Sequence, residues 1–126
     1  MGCVLQANLG QAPAKQAALG AGLSETVPCT TINKVCASSM KALAIATSSI
    51  QTEQAECIII GGMESMSQTP YYLPTNTRKG LTFGNQIMND GVNKDGLEDA
   101  YNHKPMGVAA ELCAKTHEIT RQEQDN

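Results

Sequence analysis

Three short apolar runs alternate with two helix-patterned segments in the first half of the chain, and this rhythm constrains the fold more than any other feature. Gly2–Gln6, Pro28–Asn33 and Glu56–Ile60 are apolar without strict polar alternation, the pattern of strands covered on both faces. Thr30, Thr31 and Ile32 add β-branched residues to the second run. Between the first two runs, Pro13 suits the opening turn of a helix, and Ala14, Ala17, Ala18 and Ala21 recur at i, i+3, i+4 and i+7. Gly20 and Gly22 can end that helix. Between the second and third runs, Met40, Leu43, Ala44, Thr47 and Ile50 share one helical face. Gly61-Gly62 then turns the chain out of the third run. The β-α-β-α-β order predicts an α/β fold, a sheet with helices packed on its faces.

The interior of such a sheet must be filled with little help from aromatic residues, which make up 3% of the 126 residues: Tyr71, Tyr72, Phe83 and Tyr101. Ala, Ile, Leu, Val and Met, with close backbone approach at some of the 11 glycines, have to supply the core, and a hydrophobic fraction of 41% suffices for one modest domain. Near residue 74 the composition changes. The stretch to Met106 is rich in Pro, Asn, Asp, Gly and Lys and has little periodicity, which reads as a long excursion of functional or interface character. The chain therefore divides into an α/β core over 1–73 and a second, partial subdomain over 74–126. Helix returns at Met106–Lys115, and Thr120-Arg121-Gln122-Glu123 has the capping-box spacing of another helix start. With Asn126 only a turn or so into that helix, the expectation is a piece of something longer.

Several function classes are disfavoured. Nine Lys+Arg against 12 Asp+Glu leave a net charge of −3, so there is no basic excess for nucleic acid. The longest aliphatic run, Cys57–Ile60, is far short of the roughly 20 apolar residues that span a bilayer. Met1-Gly2-Cys3 hints at acylation, but Gln6 stands where the myristoylation pattern wants Ser or Thr. No signal-peptide pattern is present. The five cysteines are odd in number and form no C-x-x-C pair, against both a disulfide framework and zinc, and they fit a reducing compartment. His103 and His117 lack the spacing of a two-histidine metal helix, so no metal is expected.

Cys36 is the candidate nucleophile. It stands between a strand and a helix, where unpaired N–H groups and the positive end of the dipole favour a thiolate. Ala37, Ser38 and Ser39 are small enough to let a substrate approach, and the Cys36 N–H could donate to an oxyanion. A buried structural thiol is the competing role, and core packing is the expectation for Cys3, Cys29, Cys57 and Cys113. Gly61-Gly62-Met63-Glu64-Ser65 matches neither the serine-hydrolase elbow nor a phosphate-binding loop. Glu64 is a candidate base, with turn capping the better-supported role.

Taken together, these residues carry a resemblance. Asn33-Lys34-Val35-Cys36-Ala37-Ser38-Ser39-Met40-Lys41-Ala42 resembles the acyl-enzyme cysteine region of the thiolases, and Gly61-Gly62-Met63-Glu64-Ser65-Met66-Ser67 resembles their second fingerprint. Gln11-Ala12-Pro13, Asp95-Gly96-Leu97, Met106-Gly107 and Ala110-Glu111 follow in the same order as in the biosynthetic branch, the acetyl-CoA C-acetyltransferases. The likeness covers practically the whole chain and implies an incomplete thiolase N-terminal half plus the start of the family's loop domain.

The implied reaction joins two acetyl-CoA into acetoacetyl-CoA and CoA, or runs the reverse, with Cys36 holding the acetyl group as a thioester. The resemblance also implies that Met106 lines the acyl pocket, that His103 contacts the pantetheine, that coenzyme A is a substrate moiety with no separate cofactor, and that the complete protein is a homodimer or homotetramer. It implies a cytoplasmic or mitochondrial setting without choosing between them. Two positions depart from the family's pattern: Ser39 stands where Gly is usual, and Pro105 replaces a histidine that often precedes the Met-Gly pair. The family's general-base histidine and second catalytic cysteine would lie after Asn126. A non-catalytic thiolase-like remnant is accordingly the rival reading, and a β-ketoacyl synthase relative a weaker third, since Met63-Glu64-Ser65-Met66-Ser67 is thiolase-like.

Overall fold

The computed structural model describes residues 1–126 and brings the three apolar runs side by side. Gly2 bridges in parallel to both Ile32 and Gly62, so the first run lies between the other two. The Gly2 amide donates to Gly61 O at 2.8 Å, Met63 N to Gly2 O at 3.0 Å, Cys3 N to Ile32 O at 3.0 Å and Ile32 N to Met1 O at 2.9 Å. Parallel neighbours need crossover connections, which the two intervening helices supply. The ladder is shorter than the sequence suggests. In the third run it begins only at Gly61, whose carbonyl accepts from Gly2; Cys57–Ile60 makes no backbone bond to a neighbouring run, and Ile59 remains 69% exposed.

Helix α1 (Pro13–Gly20) starts on its proline and ends at Gly20. Gly22 takes the left-handed conformation, with Gly22 N bonded to Leu19 O and Leu23 N to Ala18 O, a Schellman closure. Ala14 N donates to Thr31 Oγ1 at 3.1 Å, tying the helix start to the second run. Ala14 is buried and Ala18 half-buried, whereas Ala17 and Ala21 are exposed.

Helix α2 (Ser38–Gln51) turns a different face inward from the one its large residues suggest. Ser38, Ala42 and Ala46 are buried, while Met40 is 73% and Leu43 51% exposed, with Thr47 and Ile50 exposed beside them. The cause is distance. A β-carbon on Gly2 would come within 2.8 Å of Ser39 N and 2.9 Å of the Ser38 backbone, so the helix rides too close to the first run for any side chain at 2, and only the small residues Ser and Ala are turned inward. The core is thus small-residued: Gly2, Cys3, Leu5, Ala14, Ala42 and Ala46 are buried, and the Ile, Val and Met side chains expected inside are largely on the surface.

Beyond residue 66 the chain makes short elements: 3-10 turns at Met66–Gln68 and Thr75–Lys79, and an antiparallel pair of β1 (Tyr71–Tyr72) with β2 (Asn89–Asp90). A π turn follows at Asn93–Leu97. The β1–β2 pair pins the base of the irregular excursion, and Tyr72 Oη donates to Asp95 Oδ2 at 2.6 Å, closing it against the π turn. Helix α3 (Met106–Thr116) matches the sequence expectation within a residue, and α4 (Arg121–Asp125) opens on a complete capping box. There Thr120 N donates to Glu123 Oε2 at 2.7 Å, and Glu123 N to Thr120 Oγ1 at 3.3 Å. No helix is long and apolar enough to cross a membrane.

Candidate functional site

The link between the second run and α2 is built by two side chains. Asn33 Oδ1 accepts Val35 N at 3.0 Å, and Ser38 Oγ accepts Lys34 N at 2.9 Å while donating to Val35 O. These bonds fold residues 33–38 into a tight elbow with Cys36 at its exposed tip, one residue before the N-cap Ala37. Val35 has φ 48°, a left-handed conformation that costs a β-branched residue on the order of 1–3 kcal/mol. The amides of Cys36, Ser39 and Met40 have no partner within the chain. Unpaired N–H groups at the start of a helix can receive negative charge developing on a carbonyl oxygen.

A cleft of about 420 Å³ opens beside this elbow, lined by Cys36, Ser38 and Ser39 on one side and by Gly62, Met63, Glu64 and Met66 on the other. Val4 and Leu5 also line it, as do Val92, Gly96 and Leu97 from the excursion. The two most distinctive sequence motifs therefore meet across a single cavity. Most of its walls are apolar, a setting suited to a small acyl group with a few polar anchors.

Glu64 serves as a cap in this structure. Its carboxylate accepts Val4 N at 3.0 Å and Leu5 N at 2.7 Å, and the Cys3 thiol donates to it at 3.6 Å. These are the backbone donors left where the parallel ladder stops, so the side chain continues the ladder beyond Met63. Burial, and then the neighbouring Glu64 charge, pushes the Cys3 thiol above its ordinary pKa. Cys3 is 1% exposed and Cys29 half-buried, in line with packing, but Cys57 and Cys113 lie on the surface because nothing in this chain covers their sides of the third run and of α3.

Met106 and His103 stand apart from the cleft and are not among its lining residues. Met106 is the first residue of α3 and exposed. His103 Nδ1 lies 2.9 Å from Glu98 Oε1 in an exposed turn, where Lys94 Nζ also reaches Glu98 at 3.0 Å. The hydrogen bond from Lys94, then that from His103, holds the Glu98 carboxyl below its ordinary value. No group of three or more His, Cys, Asp or Glu side chains is arranged to hold a metal ion. Val92, Gly96 and Leu97 line the cleft without any local pattern that marks them as site residues. The Asp95-Gly96-Leu97 motif was the one signal available, and only the fold brings it to the cleft.

The family profile described as thiolase, N-terminal domain, matches residues 1–126. Acetyl-CoA acetyltransferase IA of Candida tropicalis is 57% identical over 125 residues, 99% of this chain and 31% of that protein. Acetyl-CoA acetyltransferase 2 of Arabidopsis thaliana is 58% identical over the same shares. Among solved structures, a thiolase from Ascaris suum in complex with coenzyme A superposes with a TM-score of 0.88 at 38% identity, covering 96% of this chain and 31% of that one. The chain thus spans just under a third of the length of the curated relatives it matches.

Proposed function

Since the chain belongs to the thiolase family, we propose that it is the acyl-accepting portion of an acetyl-CoA C-acetyltransferase, with Cys36 as nucleophile. The observation that carries this reading is the shared cleft, where an exposed thiol and unpaired amides face the Gly62–Glu64 wall. The names of the relatives and the coenzyme A bound by the Ascaris suum protein support acyl-CoA as the substrate class.

In this reading the Cys36 thiolate attacks the carbonyl carbon of acetyl-CoA, and the oxyanion forms beside the free Cys36 N–H. The carbon–sulfur bond to CoA breaks, and CoA leaves as a thiolate that takes up a proton, with the acetyl group left as a thioester on Cys36. A second acetyl-CoA then loses an α-proton, its carbanion attacks the acetyl thioester, and acetoacetyl-CoA departs with Cys36 restored as a thiolate. Met106 takes the role of acyl-pocket lining and His103 that of a pantetheine contact, both of which require α3 and its preceding turn to approach the bound substrate. The complete protein is a homodimer or homotetramer and uses coenzyme A only as part of its substrates.

One observation favours the rival reading for the chain by itself. The only carboxylate in the cleft, Glu64, is engaged by two backbone amides, and no histidine lines the cavity. General acid–base help is worth about 100- to 10,000-fold in such steps, so this polypeptide alone is expected to accept an acetyl group without condensing a second one. The test is incubation with acetyl-CoA followed by peptide mapping. Acetyl on Cys36, absent from Cys36→Ser, supports the reading; acetyl on other thiols with Cys36 unmodified overturns it.

A further inference from the structure

Ser39 is explained by neither the elbow nor the proposed acyl transfer. Its neighbour Ser38 is buried and fully engaged, holding Lys34 and Val35. The Ser39 hydroxyl has no protein partner, is exposed, and lines the cleft one helical turn beyond Cys36. It projects toward Gly62, filling the space that a β-carbon at 62 would need. A glycine at 39 would leave that notch empty, and the cleft would widen between the Cys36 elbow and the Gly61-Gly62 turn.

We propose that Ser39 is a specificity-determining residue whose hydroxymethyl group, seated over Gly62, narrows the cleft beside Cys36 and excludes acyl groups branched at the carbon next to the reacting carbonyl. The proposal rests on the acyl-transfer reading above and adds the substrate class. Once an acyl group is bonded to the Cys36 sulfur, its α-carbon lies two bonds from that sulfur. A hydrogen at that position needs no room, but a methyl branch needs a pocket of its own. Opposite Gly62 that room is taken by Ser39, so unbranched acetyl is accommodated and 2-methyl-branched acyl groups meet the hydroxymethyl.

The experiment uses the 126-residue chain with two acylating probes, 4-nitrophenyl propionate and its α-methyl-branched analogue 4-nitrophenyl isobutyrate. Cys36 displaces 4-nitrophenolate from either and keeps the acyl group as a thioester, and modification is followed at Cys36 by peptide mass spectrometry. Each rate is divided by that of glutathione with the same probe, which removes the intrinsic slowness of the branched reagent. Expected is a discrimination against the branched probe at Cys36 that falls about tenfold in Ser39→Gly, the lower end of what one methylene is worth in a pocket. Ser39→Ala removes the Oγ that lies over Gly62 and should lose most of the discrimination, as Ser39→Gly does, whereas Ser39→Thr keeps an Oγ there and should retain it, which separates steric exclusion from helix fraying. If Cys36 reacts readily with 4-nitrophenyl propionate but the ratio is the same in the parent and Ser39→Gly, the gate is overturned and the acyl-transfer reading survives. A Cys36 inert to both probes while Cys57 and Cys113 react overturns both.

Discussion

The Ser39 side chain occupies the space directly over the Cα of Gly62, so the first turn of α2 and the Gly61-Gly62 turn are fitted to each other across the cleft. An alanine at 62 would drive its β-carbon into that hydroxyl. Gly62→Ala is expected to destabilise the chain by about 1 kcal/mol, the low end for overpacking, because the Ser39 hydroxyl can turn to another rotamer. Adding Ser39→Gly should recover part of the loss, since contacting residues couple by roughly 0.5–3 kcal/mol. A double-mutant cycle by urea denaturation checks this, and strictly additive effects would show that the two residues do not touch.

Glu64 holds the amides of Val4 and Leu5 where the ladder runs out. Glu64→Ala leaves both donors without their acceptor, at about 1–3 kcal/mol for each that becomes buried and unpaired. Amide hydrogen exchange is the sharper measurement. Protection at Val4 and Leu5 should fall more than at Cys3, whose amide bonds to Ile32 O and not to Glu64. Equal loss at all three would indicate general unfolding of the first run.

The Tyr72–Asp95 bond makes a pH prediction whose sign is fixed. Donation to the Asp95 carboxylate, ahead of burial, raises the Tyr72 phenol from 10.0 to about 12. A group with a raised folded pKa lends its stabilisation fully below the unfolded value and loses it as pH climbs through the folded one. The contribution is therefore intact below about pH 10 and fades between there and about pH 12. In a phenolate absorbance titration the highest transition should vanish in Tyr72→Phe and shift back toward the ordinary phenol value in Asp95→Asn. An unshifted transition in Asp95→Asn counts against the bond.

Val35, immediately before Cys36, is held in the left-handed region by its flanking hydrogen bonds. Val35→Gly removes a strain on the order of 1 kcal/mol or more and should raise the thermal midpoint, even after the entropy that glycine adds to the unfolded chain. It should also loosen the elbow and slow acetyl transfer to Cys36. A lower midpoint would mean that the Val35 side chain stabilises the fold by more than its backbone strain costs.

Local signals in the sequence were legible and nonlocal ones less so. Pro13 and Gly22 marked α1, and Thr120 with Glu123 marked α4, because each acts within a turn of its own position. That Cys36 and Gly62–Glu64 lie at the same end of a parallel sheet could be anticipated from the β-α-β-α-β order, though not that the first run stands between their strands. The inward face of α2 could not, because hydrophobic size argued for Met40 and Leu43 while the controlling fact was the closeness of Gly2 to Ser38 and Ser39. The Tyr72–Asp95 clasp and the arrival of Leu97 at the cleft likewise depend on contacts that no local pattern encodes.

A centre assembled from Gly2, Ala14, Ala42 and Ala46 has an uneven response to change. In a core of leucines and phenylalanines, most substitutions shrink a side chain and leave a hole. Here almost every single-nucleotide step enlarges one, and at Gly2 the nearest neighbour is backbone, which cannot rotate aside as a flexible side chain can. A saturation library should therefore hold position 2 to glycine and be depleted at the three alanines nearly everywhere except among Gly, Ala and Ser, while Met40, Leu43 and Ile50 accept broad replacement in the same chain. The least conspicuous residues of this sequence leave it the least room to drift.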